Sequence, residues 1–218
     1  MNYPEKENTA NNQFFSPWDG KDLVNLCLLI KIKGYCFSSQ ISSESWDIFQ
    51  ENPEKVSENL LKGAVNAFND KTDSVLDPSN GEYVPVSVLA KKFRKIGKGS
   101  VVVAEEHFGE GPSIRQAPME ARIMNVRAVL AKSFASTHET DLRKQGILTL
   151  TFKRKHDYDK IREDDHISIF GLECLSPEEP LTVKLGHRDG TSEHFEVSHS
   201  YNQEQIEGFK AKEGTNIQ

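Results

Sequence analysis

The sequence predicts an α/β domain, and three observations lead there. Val101-Val102-Val103-Ala104 is an unbroken apolar run between Gly99 and Glu105. Such runs suit an interior strand covered on both faces. Ala128-Val129-Leu130-Ala131 and the run holding Ile147, Leu148, Leu150 and Phe152 have the same character, and helical patterns separate the three. Strand, helix, strand, helix, strand is the order of an α/β layer. The 218 residues, 36% apolar and 28% charged, suit one domain with a real core.

Each element has its own signal. Residues 1–15 are polar and are expected to be disordered, since they bury too little apolar surface to offset ordering. That leaves 16–218 as the domain. Leu26, Leu28, Ile30 and Ile32 alternate with Cys27, Leu29, Lys31 and Lys33, a strand pattern that ends at Gly34. A loop rich in serine follows, CFSSQISSESW. Leu60, Leu61 and Ala64 lie in a helix or turn after Asn52-Pro53, and Asp77 to Gly81 reads as a loop. Val86, Leu89, Ala90 and Phe93 are spaced three and four apart, which predicts a short helix closed by Gly97 and Gly99. A polar loop, FGEGPSIRQ, feeds a helix over about 115–124. Another helix runs from Ser136 to Lys144, with Gly146 as its cap. Near the end, Leu181, Val183 and Leu185 form an alternating strand, and Phe195 and Val197 belong to its partner. Asp189-Gly190 between them predicts a type I′ hairpin with positive φ at both central residues. A closing helix holds Ile206 and Phe209, with Asn202 as its cap.

Charge and composition exclude several functions. The net charge is −6, so the basic stripe of a nucleic-acid binder is missing and such a partner is not expected. The clusters Lys91-Lys92-Phe93-Arg94-Lys95 and Lys153-Arg154-Lys155 read as solvated faces. The longest apolar run, Leu26 to Ile30, is too short to span a bilayer. The N-terminal stretch MNYPEKENTANNQ resembles neither a secretion signal nor a transit peptide, so the cytoplasm is the default location. Cys27, Cys36 and Cys174 are widely spaced, without a metal or disulfide pattern. His107, His156, His166, His187, His194 and His199 are scattered, and most read as loop or strand-edge residues. His138 reads as structural, on a helix where Glu139 and Arg143 can pair four residues apart. Ser133 reads as a helix cap rather than a nucleophile.

From Gly109 onward the chain resembles a known family. FGEG with a serine-bearing turn, then SFASTHETDLRKQGILTLTF, DYDKI, DDHISIFGL, EEPLTVKLGHRDGT and HSYNQEQIEGFKA are similar to the C-terminal domain of aconitases, mitochondrial type. The resemblance extends back through WDGKDLVNLCLLIKIKG, NLLKGAVNAFND and VPVSVLAKKF, covering about residues 15 to 212. It implies a swivelling β/β/α domain, as in the small subunit of isopropylmalate dehydratases. It also implies a separate three-domain body carrying a [4Fe–4S] cluster on three cysteines. A mitochondrial location is implied as well.

The family's chemistry is implied residue by residue, and here it is missing. Its GEGSSREHA turn supplies a serine as general base and an arginine for a substrate carboxylate. A serine alkoxide needs N–H donors and fixed positive charge where its own charge forms, and arginine forks hold planar carboxylates better than lysine. The matching stretch runs from Gly109 to Ala117, so the base position is Pro112, the second serine is Ser113 and the arginine is Ile114. Pro112 has neither hydroxyl nor N–H. The upstream FRGHLDNISNNLL runs from Phe49 to Leu61, which puts Gln50 where an arginine stands. CTTDHIS runs from Cys36 to Ser42, losing its aspartate to Ser39 and its histidine to Gln40. A one-residue slip could bring Ser113 and Arg115 into the lost roles. It would also turn side chains to another side of the turn, where a displacement of about 1 Å can cost on the order of a hundredfold in rate.

The resulting expectation is an aconitase-like swivel domain that is not catalytic alone. It would act through a partner bearing the three-domain body and would hold no cofactor itself. The alternative is a small-subunit-like half of an aconitate hydratase or isopropylmalate dehydratase type of hydro-lyase. That half would need an iron–sulfur large subunit.

Overall fold

A computed structural model describes residues 20–42, 52, 55, 57–112 and 116–211. The expectation for residues 1–15 lies outside the described residues. Among the described residues, nine strands and five helices follow in the order β1 (Leu23–Lys31), α1 (Ser38–Ile41), β2 (Val75–Asp77), β3 (Glu82–Val84), α2 (Val86–Lys95), β4 (Ser100–Ala104), α3 (Gln116–Ile123), β5 (Val126–Ala131), α4 (Ser136–Lys144), β6 (Leu148–Phe152), β7 (His166–Phe170), β8 (Leu181–Gly186), β9 (Ser192–Ser198) and α5 (Gln203–Ala211). Short 3-10 turns lie at Ser57–Asn59 and Lys155–Lys160.

Seven strands close into a barrel in the order β1-β4-β5-β6-β9-β8-β7, and β2 with β3 forms a separate hairpin. The β1, β4, β5 and β6 neighbours pair in parallel, and the remaining pairs are antiparallel. The parallel half explains the apolar runs. Val101, Val103, Ala128 and Leu130 point into the barrel, while Val102, Val129 and Ala131 pack outward against Leu89, Phe93, Ala117 and Leu142. Every residue of β4 is therefore buried, as a strand covered on both faces requires. In the antiparallel half, β8 alternates between buried and half-buried residues, because only one face meets the core.

Three details depart from the sequence reading. A bulge between Leu28 and Ile30 splits the alternating set of β1. Leu26 and Leu28 face the barrel interior, whereas Ile30 and Ile32 join the outer core, as an extra residue in a strand requires. Lys31 is buried as a result, its ammonium 4.2 Å from the centre of the Tyr158 ring and donating to the Ile161 carbonyl at 3.0 Å. The β8–β9 turn is not type I′. Only Gly190 has positive φ, at 86°, and the His187 N–H reaches the Thr191 carbonyl across three residues. This is the three-residue loop with glycine in the left-handed position.

The hairpin β2–β3 and the strand β7 carry no clear signal of their own: the first has three residues per strand, and the second opens on histidine. The predicted caps at the end of α4 and the start of α5 do form. The Gly146 N–H bonds the Arg143 carbonyl and Ile147 bonds Leu142, with Gly146 at φ 74°. Asn202 and Gln205 exchange hydrogen bonds across the start of α5.

Candidate functional site

Three loops leave the carboxyl ends of neighbouring parallel strands, the usual place for a site in such sheets. Cys36–Ser42 follows β1, Glu105–Pro112 follows β4, and Lys132–Ala135 follows β5. They continue the order of the sheet. The Ser38 N–H donates to the Glu110 carbonyl at 2.8 Å, and the Gly109 N–H to the Cys36 carbonyl at 2.8 Å. On the other side the Phe108 N–H donates to the Ser133 carbonyl, and Ala135 returns a bond to the Phe108 carbonyl, both at 3.0 Å. The β4 loop is thus held from both sides at its base.

Glycine is required twice in that loop. Gly109 has φ 84°, and a Cβ there would lie 2.3 Å from the His138 ring. Gly111 has φ 112°, and a Cβ would lie 3.0 Å from the Ser38 hydroxyl. His138 sits under Gly109 and edge-on to Phe108, with ring centres 5.3 Å apart. Burial holds its pKa down at about 4, so the ring is neutral and works as packing, as the sequence reading has it. Its neighbours Glu139 and Arg143 form the predicted ion pair, and Arg143 also bonds Thr149 and Ser200.

Ser133 is not a cap. Residue Ala135 occupies the cap position of α4. The Ser133 hydroxyl donates to Glu106 at 2.7 Å and accepts from the His107 N–H at 2.8 Å, bracing the β4 loop instead. Gln40, where the family has a histidine, is structural too. Its Oε1 accepts from the Phe37 N–H at 2.8 Å and its amide donates to the Gly63 carbonyl. A buried pair missed by sequence reasoning ties the β1 loop to α3: the Ser42 hydroxyl donates to Glu120 at 2.8 Å. The one sequence signal for it is that Glu120 shares a helix face with Ala117 and Ala121.

At the loop tip, Pro112 is exposed. Ser113, Ile114, Arg115 and Gln50 lie outside the described residues, so of the implied positions the structure describes Pro112 and, in the β1 loop, Ser39 and Gln40. The lysines after β1, β5 and β6 are already engaged. Lys33 pairs with Asp70, Lys132 with Glu105 at 2.7 Å, and Lys155 with Glu106 at 2.6 Å. Burial pushes the Glu105 carboxyl up, but Lys132 and the Gly34 N–H outweigh it and hold the pKa below the usual range. The Lys155 and Ser133 bonds hold Glu106 down as well. These carboxylates are charged, and of the three lysines only Lys132 is held in a largely buried pair.

The cysteines do not make a donor set for an iron–sulfur cluster. Cys27 and Cys36 are buried and Cys174 is exposed. Burial pushes the Cys36 thiol up to about 12, away from the thiolate a metal requires. Among the described residues, no three His, Cys, Asp or Glu side chains gather in a metal-holding group. His187 lies in the loop directly after β8 and is buried, its Nδ1 2.6 Å from Asp165. Beside the loop tip, Tyr35 and Phe37 are 59% and 48% exposed, and Tyr35 lies 5.2 Å from the His107 ring.

Comparison with known proteins matches residues 27–155 to the aconitase C-terminal domain. The chain is 43% identical to a probable mitochondrial aconitate hydratase of Dictyostelium discoideum, over 94% of the chain and 27% of that protein. It is 42% identical to mitochondrial aconitate hydratase of Saccharomyces cerevisiae, over 90% of the chain and 25% of that protein. The chain thus spans about a quarter of the length of these relatives. Among solved structures it is similar to a 3-isopropylmalate dehydratase of Methanocaldococcus jannaschii at 17% identity, with a TM-score of 0.46, covering 81% of this chain and 91% of that one. No helix among the described residues is long and apolar enough to cross a membrane.

Proposed function

Because the chain belongs to the aconitase C-terminal domain family, we propose that it is a swivel domain without a catalytic base, acting through a protein partner that carries an aconitase-type body. One observation carries this reading. The frame that would present a base is intact at Phe108 and Gly109, yet the position of the base is Pro112. A proline ring has no proton to lose and no N–H to donate to an oxyanion.

Two further features support it. Lys33, Lys132 and Lys155 are committed to carboxylates, and Gln50 and Ile114 stand where the resemblance implies arginines. Tyr35 and Phe37 leave aromatic surface open beside the tip, the composition found at the core of protein interfaces. In this proposal the partner covers those rings and supplies any [4Fe–4S] cluster. The compartment is that of the partner, the mitochondrion in this reading. The domain comprises residues 16–218.

The second reading, a small-subunit-like half of an active hydro-lyase, is favoured by the retained Ser113 alone. One experiment separates the two. The purified chain is assayed for hydration of cis-aconitate, alone and mixed with a cluster-loaded aconitase body lacking its own C-terminal domain. Background rate in both, with the complex still formed, is the expected result. Turnover that disappears in Ser113→Ala establishes the second reading. Turnover by the isolated chain refutes the proposal.

A further inference from the structure

At the loop end of the barrel, four side chains form one continuous patch. Phe37 of the β1 loop and Glu110 of the β4 loop are partners across a parallel bridge, so their side chains leave the same face. The Glu110 carboxylate lies 3.5 Å from His107 Nδ1, and the His107 ring lies 5.2 Å from that of Tyr35. Tyr35 and Phe37 are exposed, and about half of the Glu110 and His107 side chains meets solvent. Single apolar residues on a surface need no explanation. Here two open rings stand two residues apart, beside an acid. Tyr83, the third exposed tyrosine or phenylalanine among the described residues, is tied by its hydroxyl to Glu163 at 2.8 Å.

The charge around the patch has a sign. Lys33, Lys132 and Lys155 are each matched by an acid, namely Asp70, Glu105 and Glu106. These pairs cancel in net charge and leave Glu110 as the acid in excess among the described residues of these loops. The His107 contact does not answer it. At 3.5 Å it is longer than the roughly 2.7–3.2 Å of an N–H···O hydrogen bond, and exposed pairs of this kind contribute little. A cation therefore gains at this patch, and the two rings decide which cation gains most.

Resting on the call for a protein partner made above, we propose that the patch receives an arginine side chain of that partner. A guanidinium lies flat on an aromatic ring and puts its N–H fork on a carboxylate at the same time. A lysine ammonium is a compact, strongly hydrated charge with neither planar face nor fork. An aliphatic side chain would cover the rings but leave Glu110 desolvated without a partner, which is costly. Tyrosine and arginine are also the residue types enriched among the anchors of protein interfaces.

The test uses the full chain and needs no identified partner. The probe is a blocked pentapeptide, acetyl-Gly-Gly-Arg-Gly-Gly-amide, with citrulline or lysine in place of arginine as controls. Citrulline keeps the shape and loses the charge. NMR shift mapping should place the arginine peptide on Tyr35, Phe37, His107 and Glu110, with saturation on the order of millimolar. The citrulline and lysine peptides should bind about threefold more weakly or worse. Glu110→Gln and Tyr35→Leu should each weaken the arginine peptide about two- to fivefold. Glu173→Gln removes an exposed acid beyond β7, at the end of the barrel where β7 meets the start of β1, and should change affinity less than about twofold. The proposal is overturned if the arginine peptide shifts another surface or does not saturate. It also fails if citrulline or lysine binds as well, or if Glu110→Gln and Tyr35→Leu stay within about twofold of the unmodified chain. The same variants, mixed with the cluster-loaded aconitase body, separate this contact from the reading it rests on. A complex equally tight with Glu110→Gln refutes the arginine contact and leaves that reading standing. Arginine-peptide binding without a complex supports the contact and removes that body as the partner.

Discussion

The base and the tip of the β4 loop lie within a few residues of each other and are held in opposite ways. At the base, Phe108 and Gly109 are gripped by Cys36, Ser133, Ala135 and His138. At the tip, Gly111 and Pro112 are exposed. The base is fixed by backbone bonds and close packing, so a change there disturbs three loops together. The tip answers mainly to chemistry. When no base hydroxyl is required, a proline costs the fold little. Under the proposed function, the frame persists because it is also the packing that joins the three loops.

The sharpest way to break that contrast is Gly109→Ala. The added Cβ would meet the His138 ring at 2.3 Å in a backbone with φ 84°. Both the clash and the left-handed conformation oppose it, and the nearest atoms belong to a buried ring that cannot swing aside. We expect a loss of about 2–4 kcal/mol, since steric overlap and φ strain are among the few mechanisms that reach this size. Urea denaturation should show a lower midpoint at unchanged slope. A loss below about 0.5 kcal/mol means that the base is not held as described.

Acid tests the same base through His138. Its folded pKa is about 4, below the usual 6.5, because burial opposes the charged ring. The unfolded chain therefore takes up this proton first as pH falls. The stability associated with the neutral ring is complete above pH 6.5 and is lost as pH falls from there through about 4. At about 1.4 kcal/mol per pKa unit, the whole effect is on the order of 3 kcal/mol. The difference in stability between the wild type and His138→Gln, measured from pH 7.5 to 4, should shrink in that window. Curves that run parallel would show that the ring is hydrated or already charged in the fold.

What could be read from the sequence follows the same division. The parallel half was readable because strands buried on both faces leave apolar runs, as in β4 and β5, and because Gly146 and Asn202 mark helix ends chemically. The antiparallel half was less so. In β7, Ser168 is buried between Ile167 and Ile169, and a histidine opens the strand, so its character comes from its barrel neighbours. The bulge in β1 is likewise a product of pairing with β4, and local alternation cannot register it. At the site, the resemblance marked Pro112 as a departure. It could not show that Ser133 braces the loop or that Ser42 bonds Glu120, because both depend on segments brought together from 27 and 78 residues apart. The misread serine, Ser133, is a polar group engaged by a carboxylate distant in sequence, Glu106.

The smallest expected effect belongs to the tip. Pro112→Ser restores a hydroxyl and an N–H where the family carries its base. Pro112 is exposed, so the change removes little packing. The main stability term is the greater freedom of the unfolded chain without the proline ring, about 0.4–1 kcal/mol at most. Activity should not return either. An alkoxide at this position would still lack the carboxylate-holding arginines, with Ile114 and Gln50 in their places, and an isolated hydroxyl is a weak base without fixed positive charge beside it. The isolated variant should melt within a few degrees of the wild type and should not hydrate cis-aconitate. Adding Ile114→Arg and Gln50→Arg, and testing the triple variant with a cluster-loaded body, sharpens the comparison. Activity there but not in the single variant would place the defect in the whole set of tip residues. Activity from Pro112→Ser alone would show that one ring closure had silenced an otherwise competent loop.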